Sequence, residues 1–128
     1  MNIIIASNRP FPNKDVSNPK ELEDVLAKSS RSCIFFPYWS WKVQKETLDN
    51  HLCIGFHTGD ISGGSPIQNL IRRGVENVNI KMFKMNETID GGEIIDIAPV
   101  SLLGSLEEII IRQTEVIKEM IDGYIHSD

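Results

Sequence analysis

Three short apolar runs alternate with segments of helical spacing in the first half of the chain, and this alternation constrains the fold more than any other feature. Residues 2–6, 32–36 and 52–56 are rich in β-branched and aromatic side chains, which is typical of buried strands. Asn18 and Pro19 supply an N-cap and a first-turn proline between the first two runs. The pattern predicts the order β-α-β-α-β and a parallel sheet with crossover helices.

The second half of the chain changes its period. Residues 79–85 and 93–98 have strand character and are joined by the turn-rich residues 86–92, which predicts a hairpin. Ser105 and Glu108 form a capping-box pattern at the start of a long amphipathic helix. The length of 128 residues is that of one domain, residues 1–128. We therefore predict a three-layer, Rossmann-like α/β domain whose sheet is mostly parallel with a C-terminal antiparallel hairpin.

Charge and composition exclude several classes of protein. The 13 basic and 18 acidic residues give a net charge of −5 without a block of like charge, which disfavours a nucleic-acid partner. The apolar runs are far shorter than the roughly 18 residues that span a bilayer, and no signal-peptide pattern is visible, so we expect a cytoplasmic protein without a membrane partner. Cys33 and Cys53 lie in apolar runs and are expected to be buried thiols. Sequence motifs for zinc, dinucleotides and P-loop phosphates are absent, so no metal site is predicted.

Two polar residues and one aromatic run stand where chemistry could be carried. His57 follows a predicted strand, at the edge where ligands bind in open α/β sheets, although a histidine there more often makes a structural hydrogen bond. Asp90 precedes two glycines and is equally typical of a turn. The aromatic run Tyr38-Trp39-Ser40-Trp41 fits a lid, an oligomer contact or a stacking surface for a flat ligand, and its sequence does not choose among them.

Three segments taken together resemble a known enzyme family. His57, the segment Gly63-Gly64-Ser65-Pro66-Ile67-Gln68 and the segment Ile89-Asp90-Gly91-Gly92-Glu93-Ile94 follow one another with 24 positions between Pro66 and Asp90. This order and spacing are similar to those of the N10-formyltetrahydrofolate-dependent formyltransferases, which include methionyl-tRNA, glycinamide ribonucleotide and sugar N-formyltransferases. The resemblance is closest in style to the sugar enzymes. It implies a formyltransferase fold that is shortened in its N-terminal half.

The resemblance implies a transferase of one-carbon groups with 10-formyltetrahydrofolate as the formyl donor. It implies that His57 and Asp90 are catalytic, because formyl transfer needs a hydrogen-bond donor for an oxyanion and a group that removes a proton from the amine. The folate would contact five residues of two loops: Tyr38, Trp39, Trp41, Ile89 and Gly91. The acceptor would be an amine of a small molecule, such as a nucleotide-linked amino sugar. We expect it to contact Asn8, Arg9, Gly64 and Ser65.

Departures from the family pattern leave a second hypothesis open. The family usually has Asn two residues before the histidine, where its amide binds the formyl oxygen, but Gly55 stands at that position here. Asn50, Thr58 or a backbone amide of the 63–64 loop would have to replace that donor.

The alternative to an active enzyme is a catalytically degenerate member of the family that binds folate, a nucleotide sugar or a protein partner. A third hypothesis is an unrelated flavodoxin-like binding domain. We expect no second domain, and this expectation disfavours methionyl-tRNA as the acceptor. The aromatic run and the apolar closing helix offer surface that a homo-oligomer would bury.

Overall fold

The described residues, 2–59, 67–87 and 92–127 of a computed structural model, form five strands and four helices in the predicted order. The elements are β1 (Asn2–Ser7), α1 (Pro19–Leu26), β2 (Ser32–Tyr38), α2 (Lys45–Asn50), β3 (Leu52–Thr58), α3 (Ile67–Arg72), β4 (Asn77–Lys84), β5 (Ile94–Ser101) and α4 (Leu106–Ile125). The predicted α/β class is therefore confirmed. None of these helices is both long enough and apolar enough to cross a membrane.

The strands form one sheet in the order β1-β2-β3-β4-β5. β1 pairs in parallel with β2, and β2 pairs in parallel with β3. β4 is antiparallel to β3. Two hydrogen bonds show this direction: the Met85 N–H donates to the Cys53 carbonyl at one end of the pair, and the Gly59 N–H donates to the Asn79 carbonyl at the other. Two further bonds give the same antiparallel relation for β4 and β5: Lys84 N–H to Glu93 O and Leu102 N–H to Glu76 O. The sheet is thus mostly parallel, with β4 as its one reversed strand among the residues described.

The chain divides into two compact units, and residues 1–55 with 83–93 make up the first. One core cluster of this unit contains eight buried side chains: Ile4, Ala6, Val16, Leu22, Ile34, Phe36, Val43 and Cys53. α1 begins as the sequence predicts, with Pro19 in the first turn and the Asn18 side chain accepting from the Glu21 N–H at 2.9 Å. Beside β1, the Asp15 carboxylate accepts from the Ile5 N–H at 2.8 Å.

Residues 56–82 and 94–128 make up the second unit. One core cluster of this unit consists of Leu70, Leu102 and Ile109. At the start of α4 both bonds of the predicted capping box are present, and the bond from the Ser105 N–H lowers the pKa of the Glu108 carboxyl. Arg112 joins this helix to the end of β5 by donating to the Ser101 carbonyl at 2.7 Å.

Two strands extend further than the sequence predicts. β2 continues through Pro37 to Tyr38, and β3 contains His57 and ends at Thr58. Pro37 is compatible with strand structure here because it lies at a break in the β1–β2 register, where the regular pairing of backbone groups is interrupted. His57 is therefore held by a strand instead of following one.

Candidate functional site

A β-bulge in β2 divides the aromatic run between the two faces of the sheet. Ile5 pairs with Phe35, but Ser7 pairs with Tyr38, so β2 carries one residue more than β1 over this stretch. An extra residue reverses the alternation of side chains beyond it. Tyr38 consequently shares the face of Ser7, whereas Trp39 returns to the face of the core of the first unit, against which it packs.

Trp39 and Trp41 line a groove between α1 and α2, here called the tryptophan groove. The Trp39 ring makes an edge contact with the buried Phe36 ring, with 5.4 Å between the ring centres. Trp41 makes a similar contact with Trp39, with 5.0 Å between the ring centres, so each indole is oriented by the ring on which it packs. The groove has a volume of about 720 Å³, which lies within the usual range of small-molecule sites. Its other walls include Leu22, Leu26, Val43, Glu23, Lys42 and Glu46. Tyr38 does not line it.

Tyr38 instead belongs to a polar cluster at the end of β1. Its ring makes an edge contact with Phe11 at 6.2 Å, and the Arg9 guanidinium lies 5.8 Å from the ring centre. Its carbonyl accepts from the Asn8 N–H at 2.8 Å, and the Asn8 side-chain amide donates to Ser40 Oγ at 3.0 Å. The structure therefore brings Tyr38, predicted to contact folate, together with Asn8 and Arg9, which are predicted to contact the acceptor.

His57 lies in the second unit as the last residue but one of β3. It is half-buried and engaged in an interaction with another part of the protein. Gly59 turns the chain after β3 with a φ of +96°, and its N–H donates to the Asn79 carbonyl at 3.0 Å. The Cβ of any other residue at position 59 would lie 3.0 Å from the Leu70 side chain, so the turn that follows His57 requires glycine.

Gly55 faces Phe83 across the antiparallel pair of β3 and β4. The Met85–Cys53 bond sets a register in which Phe83 is opposite Gly55, and a Cβ at position 55 would lie 2.9 Å from Phe83 Cζ. The aromatic ring thus occupies the space that an asparagine side chain would need. Sequence reasoning missed Phe83, because only the register of the two strands brings it to Gly55.

The described residues on either side of positions 88–91, among which Asp90 lies, contact one another within the first unit. The Lys84 N–H donates to the Glu93 carbonyl at 2.9 Å, and the side chains of these residues form an ion pair at 3.6 Å. Gly92 has a φ of +130°, and a Cβ there would collide with the Lys84 carbonyl oxygen, so glycine is required. Lys45 reaches Glu87 at 3.2 Å, and its hydrogen bonds to Asp49 and Glu87 raise its pKa.

Several predicted site residues lie outside the described residues: Gly64, Ser65, Ile89, Asp90 and Gly91. Of the groups considered as substitutes for the donor at position 55, Asn50 ends α2 and precedes β3, so it lies at the opposite end of that strand from His57. Thr58 directly follows His57 and stays a candidate. Within residues 2–59, 67–87 and 92–127, no cluster of three or more His, Cys, Asp and Glu side chains could hold a metal ion.

The two cysteines are free and buried, as predicted. Burial raises the pKa of the Cys33 thiol to about 11 and that of the Cys53 thiol to about 12. Their neighbours in the register, Leu52 for Cys33 and Ile34 for Cys53, place the two side chains on opposite faces of the sheet. Neither thiol is therefore a nucleophile near neutral pH.

Comparison with known proteins was made by sequence and by structure. No protein-family model matches the chain, and no curated protein matches it. Among solved structures, a methionyl-tRNA formyltransferase from Clostridium thermocellum is 34% identical, with a TM-score of 0.79, over 98% of this chain and 64% of that one. The chain thus spans slightly less than two thirds of that protein.

Two more distant structures share the fold. HypX from Aquifex aeolicus, solved in complex with tetrahydrofolic acid, is 15% identical, with a TM-score of 0.64 over 100% of this chain and 27% of that one. A Mycobacterium tuberculosis protein assigned as a sugar N-formyltransferase is 12% identical, with a TM-score of 0.61 over 94% of this chain and 66% of that one. By its fold and by its similarity to the Clostridium thermocellum enzyme, the chain is similar to the formyltransferase family.

Proposed function

We propose that this chain transfers a formyl group from 10-formyltetrahydrofolate to the amine of a small molecule. The observation that carries the proposal is the 34% identity to a methionyl-tRNA formyltransferase along nearly the whole chain. HypX, which shares the fold, binds tetrahydrofolic acid. The acceptor that we propose is a nucleotide-linked amino sugar; the Mycobacterium tuberculosis protein of the same fold, assigned as a sugar N-formyltransferase, supports a sugar acceptor.

His57 and Asp90 are the proposed catalytic residues. The amine nitrogen forms a bond to the formyl carbon, the bond from that carbon to N10 of the folate breaks, and N10 takes up a proton. His57 would donate a hydrogen bond to the oxyanion or move the proton lost by the amine, and the Asp90 carboxylate would orient the imidazole. A strand end supports His57, and the contacts of Lys84, Glu93 and Gly92 support the base of the Asp90 segment.

The tryptophan groove and the segment after Glu87 are the proposed folate site. The pterin ring is flat and partly apolar, so it suits an edge formed by indole rings. The ion pair between Lys45 and Glu87 joins α2, one wall of the groove, to the start of that segment. In this proposal Tyr38 contacts the acceptor instead of the folate, since its ring lies with Arg9 and Asn8.

Calorimetric titration with tetrahydrofolate tests the binding site. We expect micromolar binding to the unaltered protein and a loss of about fivefold or more in Trp41→Ala, because a stacked aromatic contact contributes on the order of 1 kcal/mol. Trp41 is 43% exposed, so this change should leave the fold intact. Ile111→Ala removes a side chain that is 53% exposed in the other unit and is the matched control. Equal affinity of the two variants would reject the groove as the folate site.

Turnover tests the catalytic assignment. Mass spectrometry of a mixed set of amino sugar nucleotides with 10-formyltetrahydrofolate should show a mass gain of one formyl group on one acceptor. His57→Gln and Asp90→Asn should each lower the rate by about 10²- to 10⁴-fold with folate affinity retained. Normal turnover in either variant would remove that residue from the mechanism.

A catalytically inactive, folate-binding protein is the second candidate function. The contact between Gly55 and Phe83 favours it, because it leaves no space for a side-chain donor two residues before His57. This candidate predicts tetrahydrofolate binding by the unaltered protein without formyl transfer to any amine of the set.

A further inference from the structure

A buried hydroxyl holds the turn that follows β1. The Ser7 side chain is fully buried; its hydroxyl donates to the Arg9 carbonyl at 2.8 Å and accepts from the Arg9 N–H at 3.2 Å. One side chain thus fixes both backbone groups of Arg9. The position of Arg9 is therefore set before any ligand arrives, which lowers the entropic cost of binding.

The side chains of this turn face solvent although their backbone is fixed. Asn8 is held through its N–H by Tyr38 and through its amide by Ser40, and both Asn8 and Arg9 are exposed. The contact with the Tyr38 ring restrains the Arg9 guanidinium without using its N–H groups in a hydrogen bond. Arg9 is exposed at the carboxyl end of β1, the edge where ligands bind in α/β sheets.

Positive charge is concentrated at this turn of an acidic chain. Lys14 Nζ lies 3.4 Å from the Arg9 carbonyl oxygen, which places a second cation beside Arg9. Neither cation forms an ion pair with any of the residues described in the three ranges 2–59, 67–87 and 92–127. The carboxylate next in sequence, Asp15, accepts from the Ile5 N–H on the edge of β1. The net charge of the whole chain is −5, so these two cations are a local exception.

We propose that Arg9, Lys14 and the Asn8 amide form a binding site for the anionic group of the acceptor, a phosphate or a carboxylate. A guanidinium presents paired N–H groups that match the oxygens of either anion, and an ammonium adds charge. The identification of the ligand with the acceptor rests on the proposed formyl transfer. The anion site itself rests only on the contacts of the first unit.

Titration with inorganic phosphate, and separately with acetate, tests the site. We expect phosphate to bind the unaltered protein at millimolar concentration and about 10- to 100-fold more weakly to Arg9→Gln, since hydrogen bonds to charged groups contribute about 1.5–3 kcal/mol. Lys14→Gln should weaken binding less, and higher salt should weaken it further. Lys28→Gln, which removes an exposed lysine at the end of α1, is the control and should bind as the unaltered protein does. Acetate binding that depends on Arg9 would support the site with a carboxylate as its ligand.

Two further results separate this inference from the proposed function. Phosphate and acetate that bind the unaltered protein and Arg9→Gln equally, or bind neither, would overturn the anion site, even if tetrahydrofolate binds in the parallel titration. Binding of phosphate that is lost in Arg9→Gln would support the anion site, even if no formyl transfer is detected. Ser7→Ala keeps both charges, so weaker phosphate binding in this variant with unchanged tetrahydrofolate affinity would support the positioning role of the hydroxyl.

Discussion

The two sides of the aromatic run differ in what holds them in place. On one side, Trp39 packs onto Phe36 in the core of the first unit, and Trp41 packs onto Trp39. On the other side, Tyr38 is joined by hydrogen bonds and ring contacts to the polar turn after β1. A single bulge, between Phe35 and Tyr38, gives Tyr38 and Trp39 these two different environments. One strand end therefore presents two surfaces of different chemistry, which suits a site that must bind a flat donor and a polar acceptor.

The largest expected difference between the sides is in stability. Trp39→Ala removes a large side chain packed against the core and should lower the free energy of unfolding by about 3 kcal/mol. Tyr38→Ala should cost only about 1 kcal/mol, because the backbone bond between the Tyr38 carbonyl and Asn8 does not need the ring. Urea denaturation of the two variants measures both values. An equal loss of stability in the two variants would contradict the distinction between a Trp39 packed on the core and a Tyr38 held by polar contacts.

The contact between Gly55 and Phe83 should give the next largest effect. Gly55→Ala places a methyl group 2.9 Å from Phe83 Cζ and should destabilise the protein by about 1–3 kcal/mol through overpacking. Most of this cost should disappear in the Phe83→Leu background, which a double-mutant cycle in urea would detect. Gly123→Ala, with no atom within 4 Å in α4, is the control and should be neutral or stabilising. Additive costs would show that Phe83 does not require glycine at position 55.

The N-cap of α1 offers a smaller test that concerns only the tryptophan side. Asn18→Ala removes the bond from the Glu21 N–H and should cost about 1 kcal/mol, while Asn18→Ser should retain most of it. Because α1 is a wall of the groove, tetrahydrofolate affinity should fall slightly in Asn18→Ala and phosphate affinity should not. Calorimetry with both ligands checks this. An equal loss of phosphate affinity in Asn18→Ala would contradict the independence of the tryptophan groove and the turn after β1.

The two thiols should contribute the smallest effect, one on each face of the sheet. Burial raises the pKa of Cys33 to about 11 and of Cys53 to about 12 from the ordinary 9.0, so at alkaline pH the unfolded chain releases thiol protons before the folded chain does. Their contribution to stability is therefore complete below pH 9 and is lost as the pH rises through 9 toward the folded values. Between pH 8 and 9.5 each thiol should account for a loss of less than about 1 kcal/mol. Cys33→Ala and Cys53→Ala should each flatten the pH dependence by a similar amount in urea titrations, and an unchanged slope would contradict the burial argument.

Local signals in the sequence predicted most of the elements. Asn18 with Pro19, and Ser105 with Glu108, mark the starts of α1 and α4, because a cap is satisfied within four residues and needs no distant partner. The end of β2 was not predictable in this way. Pro37 ordinarily interrupts a strand, and β2 continues past it only because the end of β1 pairs with Tyr38 beyond the bulge.

The candidate site was predicted in part. The position of His57 at the end of a buried strand follows from the order of strands and helices, and the resemblance supplied Asp90. Three contacts were not predicted: the hydrogen bonds between Ser7 and Arg9, the contact of Lys14 with the Arg9 carbonyl, and the contact of Phe83 with Gly55. Each depends on which backbone groups lie next to each other across strands or turns.

The sequence by itself determined the α/β order, the helix starts, the burial of both cysteines and the resemblance to a family whose motifs lie in His57 and the segments that follow it. These depend on periodicity, capping and spacing, which are properties of neighbouring residues. Only the tertiary structure decided that Tyr38 faces Arg9 while Trp39 and Trp41 face the groove, and that Phe83 fills the space beside Gly55. The reason is that strand register and bulges arise from pairing between distant segments, and a shift of one residue moves every later side chain to the other face.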